Sequence, residues 1–190
     1  MSDETELNRG KVALRWWTVL QPSPDGARRG DPAALARLRR ATTPVEAIGA
    51  APEHVVRLAR ALDMMRCPEP AAEVAAVLAH VKTHDPSRKV AQALGTRSVK
   101  DAPPAMSELR FRRLLQAGTA EERMTAFRRA VRLLGGTVNV ADLAESLLAW
   151  SHPDWGEQER IRWLFRYVGE IPPETEPDRE TEMPEEEAVP

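Results

Sequence analysis

Between Ser107 and Arg132 the chain carries seven arginines (110, 112, 113, 123, 128, 129 and 132) against three acids, Glu108, Glu121 and Glu122. A guanidinium makes planar, paired bonds to phosphate oxygens and stacks on bases, so the chemistry on offer is capture of an anionic backbone. The stretch from 106 to 136, MSELRFRRLLQAGTAEERMTAFRRAVRLLGG, reads as two helices about a turn at Ala117–Gly118–Thr119. Ser107 and Thr119 are in N-cap position, Glu122 completes a capping-box pattern with Thr119, and Gly135–Gly136 supplies the stop. At about 100° per residue, Met124, Phe127, Ala130, Val131 and Leu134 share one face of the second helix, with Arg128, Arg129 and Arg132 opposite. In the first helix Phe111, Leu114 and Leu115 share a face. Arg110, Arg112 and Arg113 share another, with Leu109 among them. Two readings fit: a binding surface for something anionic, or the solvated outer faces of ordinary helices.

Other chemistry is thin. His80 and His84 stand at i, i+4 spacing, but no HExxH pattern and no third ligand accompany them, and two surface histidines at a frayed helix end is the plainer reading. Cys67 precedes Pro68 with no activating base beside it, which reads as a structural or incidental thiol. Asp142 and Glu145 read as solvated residues on the polar side of a helix. There is no glycine-rich phosphate loop ending in Lys-Ser/Thr and no GxGxxG. We therefore expect no catalytic residue, no metal and no cofactor. No helix carries Asn or Gln at groove-reading spacing, so any nucleic-acid binding is expected to be independent of base sequence.

The net charge of −2 conceals a segregation. From Glu170 to Pro190 there are nine acids and one base, Arg179, which leaves 26 bases against 20 acids, a net of +6, in residues 1–169. Lysine occurs only at 11, 82, 89 and 100, a bias that base composition of a genome can produce, so arginine placement carries more weight than arginine number. The single cysteine excludes an intrachain disulfide, and no stretch is long and apolar enough to span a bilayer. With no secretory core at the N-terminus, a cytoplasmic location is the expectation.

The elements that must position the arginines are helical. Residues 7–21 read as a helix ended by Pro22 and Pro24, with one of the adjacent Trp16 and Trp17 in the core and the other on a neighbouring element or partner. Asp31-Pro32 opens a second helix with Leu35, Leu38 and Ala41 inward and Arg37 and Arg40 outward. A short turn at 44–50 precedes a helix over 51–66 with Val55, Leu58, Leu62 and Met65 inward, and another over 69–83 with Val74, Val77, Leu78 and Val81 on one stripe. Residues 84–105, with three prolines and weak periodicity, read as a connector. After the arginine hairpin, Asn139 caps a helix presenting Val140, Leu143, Ala144, Leu147 and Trp150. Asp154 then caps a last helix with Ile161, Leu164, Phe165 and Val168 inward and Arg162 and Arg166 outside. The expected fold is all-α: a helical bundle over 1–83, the connector 84–105, a second bundle over 106–169, and a disordered acidic tail over 170–190.

At this point the chain resembles a known family. The segments RRG (28–30), LARLRRA (35–41), SELRFRRLLQ (107–116), RRAVRLLGG (128–136), VNVADLAESLLAW (138–150) and RWLFRYVGE (162–170), with the paired tryptophans, are similar to the small subunit of the type I-E CRISPR surveillance complex Cascade, the CasB family. The likeness spans roughly residues 12–169. It implies an all-helical, non-catalytic protein, present as two copies beside the guide RNA and target DNA among other Cascade subunits. Its basic surface would hold nucleic-acid backbone and stabilise the R-loop in antiviral defence. The basic positions it implies here are Arg29, Arg37, Arg40, Arg110, Arg113, Arg128, Arg129 and Arg132, whereas Arg162 and Arg166 are also placed to form ion pairs between helices. The rival from the residues alone is a structural scaffold whose arginines pair with partner proteins.

Overall fold

The computed structural model describes residues 8–23, 26–95 and 103–170. The fold is all-α, and its centre is α5 (Glu69–Leu78). Every residue from Ala71 to Leu78 is buried, as expected of a helix apolar on all sides. Small side chains (four alanines in that run) let neighbours approach closely. Around α5 pack α3 (Pro44–Ala50), α4 (Pro52–Ala61), α8 (Ala120–Leu133) and α9 (Val140–Ser151), with α1 (Arg9–Leu20) and α2 (Pro32–Arg40) completing the shell.

α5 therefore touches helices from both sides of residues 84–105, and one contiguous core runs from Ala13 to Trp163. The two bundles expected on either side of a connector share that core. α1 lies along α9, where a Cβ on Gly10 would stand 2.7 Å from the Ala141 carbonyl, so the close approach requires glycine. Within the expected connector, α6 (Val90–Gly95) packs on α10 (Gly156–Val168) so tightly that a Cβ on Gly95 would meet the Tyr167 carbonyl at 1.8 Å. Residues 96–102 of that stretch lie outside the described residues, as do residues 1–7, 24–25 and the acidic stretch beyond Glu170.

A buried polar network fixes this arrangement. Asp142 on α9 accepts from the Val90 backbone N–H at the start of α6 (2.7 Å) and pairs with Lys89 Nζ (3.0 Å). Glu159 on α10 accepts from Ser146 Oγ (2.8 Å), which accepts in turn from Trp163 Nε1 (2.9 Å). Arg166 reaches both carboxylates at 3.8 Å. The expectation that Asp142 is a solvated surface acid is thus corrected: it is 3% exposed and ties three helices.

Several helix ends and faces also differ from expectation. The tryptophan pair keeps to expectation: both are buried, and Trp16 packs on the neighbouring α4, donating from Nε1 to the His54 carbonyl at 2.8 Å, because α1 is sandwiched between α4 and α9. α4 stops at Ala61, with Asp63 in the left-handed region (φ 56°), so Met65 leaves the helical stripe and is exposed. α5 ends at Leu78, and Thr83–His84 (β1) instead pairs in parallel with Thr137–Val138 (β2). α10 begins at Gly156 after Trp155 with no side-chain cap, so Asp154 does not cap it. The apolar stripe of α10 faces outward: Ile161, Leu164, Phe165 and Val168 are all exposed, while Trp163 and Glu159 face the core. Trp163 wins because it closes an edge-to-face cluster with Phe127 (5.1 Å) and Trp150 (5.2 Å), burying more surface than any residue of the stripe.

Candidate nucleic-acid interface

α7 (Glu108–Leu115) and α8 form the hairpin expected from sequence. The capping box is made: Thr119 Oγ1 accepts from the Glu122 N–H (3.2 Å) and Glu122 Oε2 accepts from the Thr119 N–H (3.0 Å). Ser107 is in N-cap position without a side-chain bond. Met124, Phe127, Ala130 and Val131 are buried, which turns the opposite side of α8 outward. There the two helices enclose an open groove of about 790 Å³, with Met106, Leu114, Ala117, Ala126 and Leu133 among its lining residues. Arg110 and Arg113 from α7 and Arg129 and Arg132 from α8 line it as well. Its carboxylates are Glu121 and Glu122, and Glu122 is held by the capping box.

Arg132 also lines a second, smaller basic recess with His80, Lys82 and Arg128. Arg128 donates through Nη2 to the Ala41 carbonyl at the end of α2, and its Nε is buried without a partner. Burial lowers the Arg128 pKa, with Glu46 opposing the effect. Burial, then the fields of Arg128 and Arg39, bring His80 down to about 4, so it is a neutral imidazole among cations at physiological pH. Arg39 Nε donates to the Ala79 carbonyl at 2.6 Å, which sets the end of α2 against this recess. Groove and recess thus join through Arg132 into one cationic strip from α7 across α8 to the C-terminus of α2.

The sequence-selected residues divide accordingly. Arg110, Arg113, Arg129 and Arg132 meet in the groove, and Arg128 stands half-buried behind them. Arg40 is exposed one residue beyond Arg39. Arg37, a turn earlier, is tied by Nε to the Ala50 carbonyl at 2.7 Å. Arg29 is exposed in the loop before α2 and lines neither the groove nor the recess. Of the other hairpin arginines, Arg123 makes a bidentate pair with buried Glu73 on α5 (both contacts 2.9 Å), and Arg112 pairs with Glu108 along α7. Arg166 pairs with Asp142 across to α9, the interhelical pairing open from sequence, and with Glu159 of its own helix, whereas Arg162 pairs with Glu159 within α10. Arg39, Lys82 and His80 were missed. Arg39 was legible as the neighbour of Arg40, but Lys82 and His80 reach the strip only because α5 ends early.

The remaining candidates do no visible chemistry. His84 is in β1, where its Nδ1 accepts from the Val140 N–H (3.1 Å), and His80 is half-buried in the turn after α5, so the pair is not on a frayed helix surface. Cys67 is exposed, and its hydrogen bond to Glu69 raises the thiol pKa, away from reactivity. Among the described residues no cluster of three or more His, Cys, Asp or Glu could hold a metal, and no helix is long and apolar enough to cross a membrane.

Comparison with known proteins places this architecture. The family profile of CRISPR-associated protein Cse2 matches residues 34–167, which include most of α2 and the cationic strip. The chain belongs to the Cse2 family. Two solved structures from Thermus thermophilus are similar to it: one of CasB (27% identity, TM-score 0.55) and one of a CRISPR-associated protein of the Cse2 family (27% identity, TM-score 0.56). Each match covers 84% of this chain and 97% of the other. Among curated proteins none matches. Cse2-family membership makes this chain a subunit of the CRISPR Cascade complex, in agreement with the family the sequence resembles.

Proposed function

We propose that this Cascade subunit is a non-catalytic holder of nucleic-acid backbone. The observation that carries the reading is the convergence of Arg110, Arg113, Arg129 and Arg132 on one groove, continued by Arg132 into the recess of Arg128, Lys82 and His80. Their guanidiniums offer paired donors to phosphate, and contacts to the phosphate backbone position a nucleic acid without reading its sequence. In an RNA-guided complex that suffices, because pairing between guide and target reads sequence and R-loop formation is nearly balanced in energy. A few phosphate contacts to the guide, the target or the displaced strand tip it. Arg29, Arg37 and Arg40 extend the surface beyond the groove in this proposal.

The exposed stripe of Ile161, Leu164, Phe165 and Val168 supports contact with other protein subunits, a second copy of this chain being the partner the family resemblance implies. It also favours the rival reading, a scaffold whose arginines pair with partner proteins. One experiment separates them: assemble Cascade carrying Arg110→Ala, Arg113→Ala, Arg129→Ala and Arg132→Ala in this subunit, then measure target-DNA affinity and R-loop yield across salt. Four to six phosphate contacts correspond to a log–log salt slope of roughly −3 to −5, at about 0.7–0.9 per phosphate. The expected result is intact assembly with weaker target binding and a shallower salt slope. Unchanged affinity refutes the proposal, and failure to assemble supports the scaffold.

A further inference from the structure

Near the end of the described chain, α10 is tied to a residue that lines the arginine groove. Tyr167 donates from its hydroxyl to the Met106 carbonyl at 2.7 Å, and its ring stacks on Phe111 at 3.9 Å. Met106 is itself a lining residue of the groove. Gly169, in the left-handed region (φ 88°), closes α10, and the Glu170 N–H donates back to the Phe165 carbonyl at 2.9 Å. The described chain therefore ends three residues beyond a side chain that contacts Met106 of the groove lining. Twenty residues follow, 171–190, with eight acids, one base, and Ile171, Met183 and Val189 spaced among them. That composition complements a groove of four guanidiniums with Leu114, Ala117, Ala126 and Leu133 between them. Length is not limiting: an extended chain covers about 3.3 Å per residue, and α8, at about 1.5 Å per residue, is shorter than half the tail's reach.

We propose that residues 171–190 dock in cis in the α7–α8 groove of the free protein, their carboxylates on Arg110, Arg113, Arg129 and Arg132. The docked tail shields the cationic strip from indiscriminate polyanions and yields it when a higher-affinity nucleic acid arrives. Only this competition rests on the nucleic-acid reading of the groove; the docking stands on charge, on the apolar residues spaced among the acids, and on tether length. Tethering sets an effective concentration in the millimolar range, so even a weakly binding segment competes.

The test uses the full chain in two arms. In the first, Cys67→Ser/Ala188→Cys carries a spin label at the new cysteine, and paramagnetic broadening of backbone amides is mapped. The expected result is broadening concentrated on α7 and α8, abolished when the eight acids from 174 to 187 become Gln or Asn, and absent when labelled protein is mixed with an isotope-labelled copy. Broadening that is missing or spread evenly over the surface overturns the docking, and broadening only in the mixed sample overturns docking in cis. In the second arm, single-stranded DNA affinity of the tail-neutralised chain is compared with the parent at low salt. The expected gain is about three- to tenfold, which a local concentration of about 1 mM produces when the segment's own Kd is about 0.1–0.5 mM. Groove broadening without a gain in affinity overturns the shielding role and the nucleic-acid reading of the groove, while the docking stands.

Discussion

Arg123→Ala separates structural arginines from available ones. Arg123 lies in the same helix as Arg129 and Arg132, but its guanidinium meets both oxygens of Glu73 at 2.9 Å and the Gly118 carbonyl at 2.6 Å. Glu73 has a side chain 2% exposed, in the middle of the central helix. Removing Arg123 leaves a buried carboxylate without its guanidinium and the turn before α8 without its tie. Breaking a buried pair on one side costs about 3–5 kcal/mol, a large share of the stability of a domain this size. Burial raises the Glu73 pKa above its ordinary 4.5 even with Arg123 opposing the effect, and loss of Arg123 raises it further. A carboxyl whose folded pKa lies above its unfolded value binds protons more readily in the folded state. Stability therefore rises as pH falls through the folded value, levelling off below the unfolded one. The Arg123→Ala penalty should be full at pH 7 and shrink on acidification, measured by urea denaturation of both proteins at each pH. His80 titrates equally in both and cancels in the difference. Adding Glu73→Gln should recover a substantial part of the loss at pH 7. A penalty under about 1 kcal/mol, well below the range for a broken buried pair, or one that does not shrink as pH falls, refutes the reasoning.

Three further outcomes follow from the geometry. His80, held neutral down to about pH 4 by burial and by Arg128 and Arg39, should cost the fold stability as pH drops from 6.5 towards 4, because only the unfolded chain gains that proton; its imidazole resonances should titrate near 4 in the free protein and higher when a phosphate-bearing oligonucleotide fills the recess. Gly95→Ala, with its Cβ aimed at the Tyr167 carbonyl, should destabilise the α6–α10 contact by about 1–3 kcal/mol, read from the thermal midpoint. Leu164→Ser with Phe165→Ser should change monomer stability by less than about 1 kcal/mol, since both residues are exposed, yet reduce incorporation into assembled Cascade as measured by co-purification.

Periodicity and caps were enough to read an all-α chain, because each depends on residues within a few positions of one another. Thr119 with Glu122, Asn139, Asp31-Pro32 and the buried stripe of α8 are all found as the sequence reads. The family is legible for a related reason: local segments such as LARLRRA and VNVADLAESLLAW keep their order and spacing. What only the tertiary structure decided is which face of α10 is inside and which polar side chains are paired. The α10 stripe of Ile161, Leu164, Phe165 and Val168 has every local mark of a core face, yet the Trp163 cluster and the Glu159 network turn it to the surface. Asp142 has the marks of a solvated acid, yet it ties α6, α9 and α10. The arginines divide for the same reason: Arg123 and Arg129 are one sequence pattern, and a partner fifty residues away, Glu73, makes one a strut and leaves the other on the groove. Helical propensity is a sum over neighbours, whereas burial and pairing depend on distant elements meeting, which no local window contains.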